Sequence, residues 1–312
     1  MAQTTLGSTG ARVSEFALGT AMFGREFDGG VATTASEAHD ILDAFADAGG
    51  NFVDTANTYA DGESERIVGD WLAKRDRGDF VVASKLYWNQ VASDESLSRR
   101  AIRAEIEGTL DRLGTDYLDV YYIHRWDDET PIAEILRTLD RLVDEGKVDY
   151  LGISTAAAWK LTKALWTSDI EGLERFEVTQ PKFNAAYRDP VRDYLDVAAD
   201  QGLAVCPYSP LEGGLLTGKY ARDADAPEGS RGDVSGWDVS ERQWDVLEAV
   251  EAVAAEEDAT PAQVALRWLA DHERVTAPIL GARTVEQIEE NLGVLDVSLA
   301  VDQRERITDA YA

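Results

Sequence analysis

An aspartate, a tyrosine, a lysine and a histidine stand at or just beyond the ends of strand-like runs in the first half of this chain. Asp54 ends Asn51-Phe52-Val53-Asp54, and Tyr59 follows in Thr55-Ala56-Asn57-Thr58-Tyr59. Lys85 closes Phe80-Val81-Val82-Ala83-Ser84-Lys85, and His124 closes Tyr117-Leu118-Asp119-Val120-Tyr121-Tyr122-Ile123-His124. Reducing a carbonyl needs a hydride on carbon and a proton on oxygen, and a phenol with an ordinary pKa of about 10 gives up its proton reluctantly. An ammonium about 4 Å away, at an effective dielectric near 20, favours phenolate by roughly 4 kcal/mol, or about 3 pKa units. Asp54 offsets part of that shift and keeps a buried Lys85 charged. His124 can hold the substrate oxygen beside Tyr59. Taken singly, each residue has a plainer use: a structural ion pair, a loop aromatic, a core histidine. Together at strand ends, the four favour proton transfer.

Strand ends converge only if the strands share one sheet. Strand-like runs fall near 15–19, 51–54, 79–84, 117–123, 148–153, 176–180, 203–208 and 275–280. Amphipathic helices start near Ser36, Gly62, Leu97, Pro131, Ala156, Val191, Glu241, Thr260, Thr284 and Asp302. This alternation predicts an α/β fold, a (β/α)8 TIM barrel, with active-site residues at the C-terminal strand ends. Residues 3–14, with Gly7-Ser8-Thr9-Gly10 at their centre, read as an N-terminal β-hairpin on the barrel floor, and extra C-terminal helices absorb the remaining length. No shift of composition divides the chain, so 1–312 is expected to be a single barrel domain. Residues 222–238 lack periodicity and form a long loop of the kind that is usually functional or disordered.

Asp54, Tyr59, Lys85 and His124, in their segments, resemble the catalytic tetrad of the aldo-keto reductases, and the resemblance covers nearly the whole chain. It implies Tyr59 as general acid, Lys85 and Asp54 tuning it, His124 orienting the carbonyl, and a nicotinamide cofactor. No Gly-x-Gly-x-x-Gly follows a strand, so a Rossmann site is not supported. Gly213-Gly214-Leu215-Leu216-Thr217-Gly218-Lys219 has P-loop spacing, but Tyr220 stands where the metal-binding Ser or Thr belongs, and no metal is expected. The stretch Tyr208–Tyr220 instead resembles the family's loop after the seventh strand. By that likeness Tyr208 stacks on the nicotinamide, while Ser209, Leu211, Gly213 and Lys219 lie along the pyrophosphate. Residues Ile279–Asn291 are similar to the adenosine site, with Arg283 and Gln287 toward a 2′-phosphate and Glu290 and Asn291 toward adenine. Ser154 and Gln180 match carboxamide-binding positions, and Gly19 and Thr20 complete the cofactor side. Two departures stand out: Thr155 where many relatives have Asn, and Gly281 where some carry a lysine for the 2′-phosphate. Preference for NADP(H), with NAD(H) as the alternative, therefore rests on Arg283, with Arg231 in the long loop as a second candidate.

Ser84-Lys85-Leu86-Tyr87-Trp88, Leu97-Ser98-Arg99-Arg100 and Tyr122-Ile123-His124-Arg125-Trp126-Asp127 resemble the branch containing potassium-channel β-subunits and their bacterial relatives. That branch raises an alternative, a nucleotide-sensing subunit with little turnover. Some of its members lack the histidine, so His124 favours a working reductase. A barrel hydrolase or isomerase built on His124 would leave the cofactor half unused. Phe23, Trp88 and Trp126 are expected to wall the substrate pocket, and Trp237 is a weaker candidate. The substrate is a small carbonyl or alcohol, while its identity and the oligomeric state stay open.

The formal charge is −29 and the pI near 4.3, with the carboxylates spread along the chain. Such a field repels nucleic acid and anionic lipid, and the compact state strains against itself unless salt screens it. A cytoplasmic protein adapted to high salt is expected. Cys206, the single cysteine, lies in an apolar run and reads as a small buried hydrophobe. No apolar stretch approaches the ~20 residues of a membrane span, and the N-terminus has no apolar signal core. His39 and His272, on helix-like stretches, are expected at the surface.

Overall fold

The computed structural model describes residues 1–27, 30–92, 96–227 and 238–312. An antiparallel hairpin, β1 (Gln3–Thr5) and β2 (Arg12–Ser14), opens the chain. Next come β3 (Ala17–Gly19) and a small antiparallel pair, β4 (Glu26–Phe27) with β5 (Gly30–Val31). Helix α1 (Ala35–Asp47) leads to β6 (Phe52–Asp54), α2 (Glu63–Leu72) to β7 (Val81–Leu86), and α3 (Arg99–Leu113) to β8 (Leu118–Ile123). The pattern continues through α4 (Ile132–Asp144), β9 (Val148–Ser154), α5 (Ala158–Glu171), β10 (Phe176–Gln180), α6 (Arg192–Asp200) and β11 (Ala204–Val205). Helices α7 (Glu241–Glu256) and α8 (Pro261–Ala270) precede β12 (Ile279–Gly281), and α9 (Val285–Leu292) and α10 (Val301–Asp309) end the chain.

Eight strands pair in parallel in the order β11-β10-β9-β8-β7-β6-β3-β12. The Thr276 and Ile279 N–H groups donate to the Val205 and Pro207 carbonyls at 2.8 and 3.0 Å, which joins the two ends into a barrel. Each strand is covered by helices outside and side chains inside, so each reads as an apolar run. Phe52, Ala83, Val120, Tyr122, Val178 and Cys206 fill the interior, and Leu6 and Val13 of the hairpin plug its floor. Gly7 makes that plug fit: at φ +60° a Cβ there would lie 2.5 Å from the Ala204 nitrogen. Inside the barrel, a Cβ on Gly152 would sit 2.3 Å from the Tyr122 ring, so large and small residues interlock across β8 and β9.

Helix starts follow local chemistry. Thr34 and Glu37 form a capping box on α1, Ser98 accepts from the Ala101 N–H at the head of α3, and Thr260 and Gln263 box the head of α8 beside Pro261. Strand β11 is shorter than the 203–208 run suggests, because Pro207 has no N–H to extend the ladder. Among the described residues no helix is long and apolar enough to cross a membrane. His39 is tied by Nε2 to the Ile67 carbonyl at 3.0 Å, and His272 packs its ring edge-on to Phe183 at 4.9 Å. Both are therefore half-buried contacts rather than free surface residues.

Candidate active site

Lys85 points into the upper barrel from β7 and is wholly buried. Its Nζ lies 2.5 Å from Asp54 Oδ1, 2.9 Å from the Thr55 carbonyl and 3.1 Å from the Tyr59 hydroxyl. Gln180 at the end of β10 donates to the other Asp54 oxygen at 2.8 Å. His124 follows β8 directly, and its backbone N–H is fixed to the Leu86 carbonyl at 2.8 Å. Its ring meets Tyr59 edge-on at 5.8 Å and Trp88 edge-on at 5.1 Å. Four positions scattered over seventy residues of sequence become one cluster because parallel strands deliver them to the same barrel rim.

The electrostatics follow from burial. Burial alone would strip the proton from Lys85, but the Asp54 carboxylate and the Tyr59 oxygen outweigh it and hold its pKa above the ordinary value. His124 moves the other way, down to about 3, pushed by burial and by the Lys85 charge. For Tyr59 the balance differs from the sequence expectation. Burial raises its pKa most, Lys85 opposes, Asp54 adds to the rise, and the net shift is upward. The ammonium sits at 3.1 Å, closer than expected, yet the cost of burying a phenolate exceeds its pull.

Above the cluster runs a cavity of about 1110 Å³, reaching from Tyr59 and His124 to Arg283, Gln287, Glu290 and Asn291. Gly19, Trp88, Trp126, Ser154, Gln180, Tyr208, Ser209, Leu211, Gly213, Lys219 and Gly281 also line it. Three expected residues do not. Phe23 is fully buried in the core between barrel and helices, and Ala21 and Met22 line the cavity instead. Thr20 is buried too, its hydroxyl spent on Ser64 Oγ at 2.7 Å and the Asp54 carbonyl at 3.2 Å. Lys85 lies beneath the wall, behind Asp54 and Tyr59, which both line the cavity. Arg231 and Trp237 fall outside the described residues.

Backbone strain concentrates around this cavity. Of the six non-glycine residues with positive φ among the described residues, Ala60, Asp61, Thr155, Ser209 and Glu212 belong to its loops. Thr155, a β-branched residue at φ +47°, stands where Asn would sit more easily. The loop after β11 strings together Ser209, Glu212, Gly213 and Gly214 in left-handed conformations, with the Glu212 and Gly214 N–H groups spent on the Ser209 and Leu211 carbonyls at 3.0 and 2.9 Å. Glu212 is pinned by Lys182 at 2.5 Å and by Asn184 at 2.6 Å, which stiffens the loop from behind. At the far end, Thr284 caps α9 and the Arg283 N–H donates to Gln287 Oε1 at 2.9 Å. Arg283 itself is exposed, at the head of a helix whose dipole favours anions. Long, open, and cationic at both Lys219 and Arg283, this channel suits a dinucleotide with phosphates at its middle and end.

The aldo/keto reductase family model matches residues 15–312. An aryl-alcohol dehydrogenase of Pestalotiopsis microspora is 32% identical, the match covering 97% of this chain and 80% of the relative. Norsolorinic acid reductase B of Aspergillus parasiticus is 35% identical over 96% of this chain and 81% of its own length. The NADP(+) aryl-alcohol dehydrogenase of Phanerodontia chrysosporium is 34% identical over 96% and 83%. The chain belongs to the aldo/keto reductase family. It is an oxidoreductase that acts on carbonyl and alcohol groups of small molecules and uses a nicotinamide cofactor.

In this reductase the sequence reading missed part of the wall. Arg125, Asp128 and Lys160 line the cavity near Trp126, with Lys160 held to Asp128 at 2.6 Å and lying 5.5 Å from the Trp126 ring centre. Arg125 and Asp128 follow the β8 strand end within four residues of His124, so the barrel rule alone could have marked them. Lys160 sits inside α5, where periodicity signals only a solvated face.

Proposed function

We propose that this aldo/keto reductase reduces aldehydes and ketones to alcohols, or runs the reverse, with Tyr59 as proton donor and acceptor. The observation behind it is the Lys85 ammonium, 3.1 Å from the Tyr59 hydroxyl and 2.5 Å from Asp54, beneath a cavity that Tyr59 and His124 both line. Lys85 receives the developing phenolate charge, and Asp54 keeps Lys85 protonated. Gln180 and the Thr55 carbonyl fix the ion pair, so little reorganisation accompanies proton transfer. His124 is neutral and therefore serves as a hydrogen-bonding group for the substrate oxygen rather than as an acid. When bound, the nicotinamide supplies or accepts the hydride. Tyr208, Ser154 and Gln180 are the residues to hold its ring end, and Ser209, Leu211 and Gly213 with Lys219 its pyrophosphate.

NADP(H) is the favoured form. Arg283 and Gln287 stand at the head of α9, where a 2′-phosphate would meet an exposed guanidinium and the positive end of the helix dipole. A relative whose name specifies NADP(+) supports the same choice. The charge of −29 suits a cytoplasm rich in salt. The sensing-subunit reading is weaker, since His124 is present and lines the same cavity as Tyr59.

Replacing Tyr59 tests the assignment. Tyr59→Phe should lower carbonyl reduction by at least about 10³-fold, while fluorescence titration still finds NADPH bound with near-normal affinity. Turnover retained in the variant would remove Tyr59 from the reaction. A wild-type protein that binds NADPH but reduces no carbonyl in a broad panel would favour the sensor.

A further inference from the structure

Helix α5 presents apolar residues to solvent as well as to the barrel. Its inner face buries Leu161, Ala164, Leu165 and Ser168. Of the six large hydrophobic side chains exposed among the described residues, three are on its outer face: Trp159 (62% exposed), Trp166 (65%) and Ile170 (69%). With Lys163 these positions follow at spacings of four, three and four, which places them in one stripe along the helix. Single exposed hydrophobics are ordinary, whereas two tryptophans and an isoleucine in register form a surface that favours company.

Charge says which company. The chain carries −29 and has seven lysines, yet α5 balances Lys160 and Lys163 against Asp169 and Glu171. Arg175 on Asp169 at 2.5 Å and Arg137 on Glu171 at 2.8 Å hold the acidic end in place. The stripe is thus a neutral strip on an acidic body, with its cations toward one end and its anions toward the other. A basic partner would choose the acidic surface elsewhere, and a uniformly acidic partner would find no net attraction here.

The geometry points to a second copy of this chain as the occupant, docked α5 against α5 in antiparallel fashion about a two-fold axis between Ala164 and Leu165. The sequence is complementary to its own reversal across that axis. Trp159 meets the partner's Ile170, and Lys163 lies over the partner's Trp166. A parallel pairing would set lysine against lysine and lose both. The strip borders the cavity mouth, since Lys160, the neighbour of Trp159, lines the cavity. Its neutrality lets two highly acidic bodies approach where repulsion is least, and salt removes the remainder.

Sedimentation velocity of the full chain between 1 and 100 µM in multimolar KCl, a range of roughly two decades around a weak interface, tests this. The expected result is a species of twice the 34.2 kDa chain mass that dissociates on dilution. Trp166→Glu and Ile170→Glu should each weaken it by on the order of 100-fold, with unchanged thermal melts because both side chains are exposed in the single chain. A wild-type chain that stays monomeric throughout overturns the proposal, as does a dimer that either substitution leaves intact.

Discussion

His124 illustrates how a single residue's surroundings decide what it can do. With its pKa pushed to about 3 by burial and the Lys85 charge, it cannot act as a proton donor near neutrality. Its Nδ1 has no protein partner, so the fold does not hold it as a structural hydrogen bond would. The same shift has a cost in stability, with a definite sign. Unfolded, the imidazole takes a proton as pH falls through about 6.5, whereas the folded chain resists until about 3. Below 6.5 the unfolded state therefore gains at up to about 1.4 kcal/mol per pH unit. Replacing the residue with Gln should remove that slope. Chemical denaturation of wild type and His124→Gln between pH 7 and pH 4.5 measures it, and parallel curves would contradict the burial assigned to the ring. Tyr59 shows the complementary lesson. That phenol and ammonium would meet was readable from strand logic, but the burial that raises the phenol's pKa was not, because exposure is a property of the assembled rim.

At the scale of elements, the strands deliver the tetrad but loops must hold it still. Glu105, wholly buried on α3, accepts the Val91 and Ala92 N–H groups at 2.6 and 2.9 Å and the Asn57 side-chain amide at 2.9 Å. One carboxylate thereby ties the loop bearing Tyr59 to the loop bearing Trp88. Asn57 in turn donates its N–H to the Lys85 carbonyl at 3.1 Å, so the tie reaches the strand beneath. Glu105→Ala would leave three donors without an acceptor, costing about 3 kcal/mol or more. It should also lower kcat about tenfold and raise KM for bulky carbonyls. Glu105→Gln keeps one acceptor oxygen and should fall between. Steady-state kinetics with a denaturant melt separate the two effects, and full kcat in a destabilised Glu105→Ala would show the loops to be held otherwise. Little of this was legible beforehand. The strands and helices declared themselves through apolar runs and amphipathic spacing, whose signals are local. Nothing in the spacing singles out Glu105 within the helix-like segment from Leu97, and Phe23 read as a loop aromatic facing substrate. Their fates depend on contacts between segments far apart in sequence, which no local pattern encodes.

The whole molecule must reconcile a compact barrel with 59 acidic side chains against 30 basic ones. Many of the arginines are already committed to surface pairs, such as Arg306 with Glu256 and the fork of Arg222 among Glu241, Asp245 and Glu248. Exposed pairs of this kind contribute about 0–1 kcal/mol each, and added salt weakens them. The unpaired carboxylates repel over distances set by the Debye length, about 10 Å at 0.1 M and 3 Å at 1 M. Salt therefore acts in two opposing directions, and the net charge of −29 decides that relief of repulsion wins. The melting temperature should rise by roughly 5–10 °C between 0.1 and 2 M KCl, corresponding to a few kcal/mol. If screening is the cause, most of the gain arrives below about 1 M, where the Debye length has already shrunk to a contact distance. A rise that continues linearly beyond 1 M would instead indicate cations bound at the carboxylates. Equal melting temperatures in both salts would show that the barrel tolerates its charge unaided, and the acidic surface would then need another explanation.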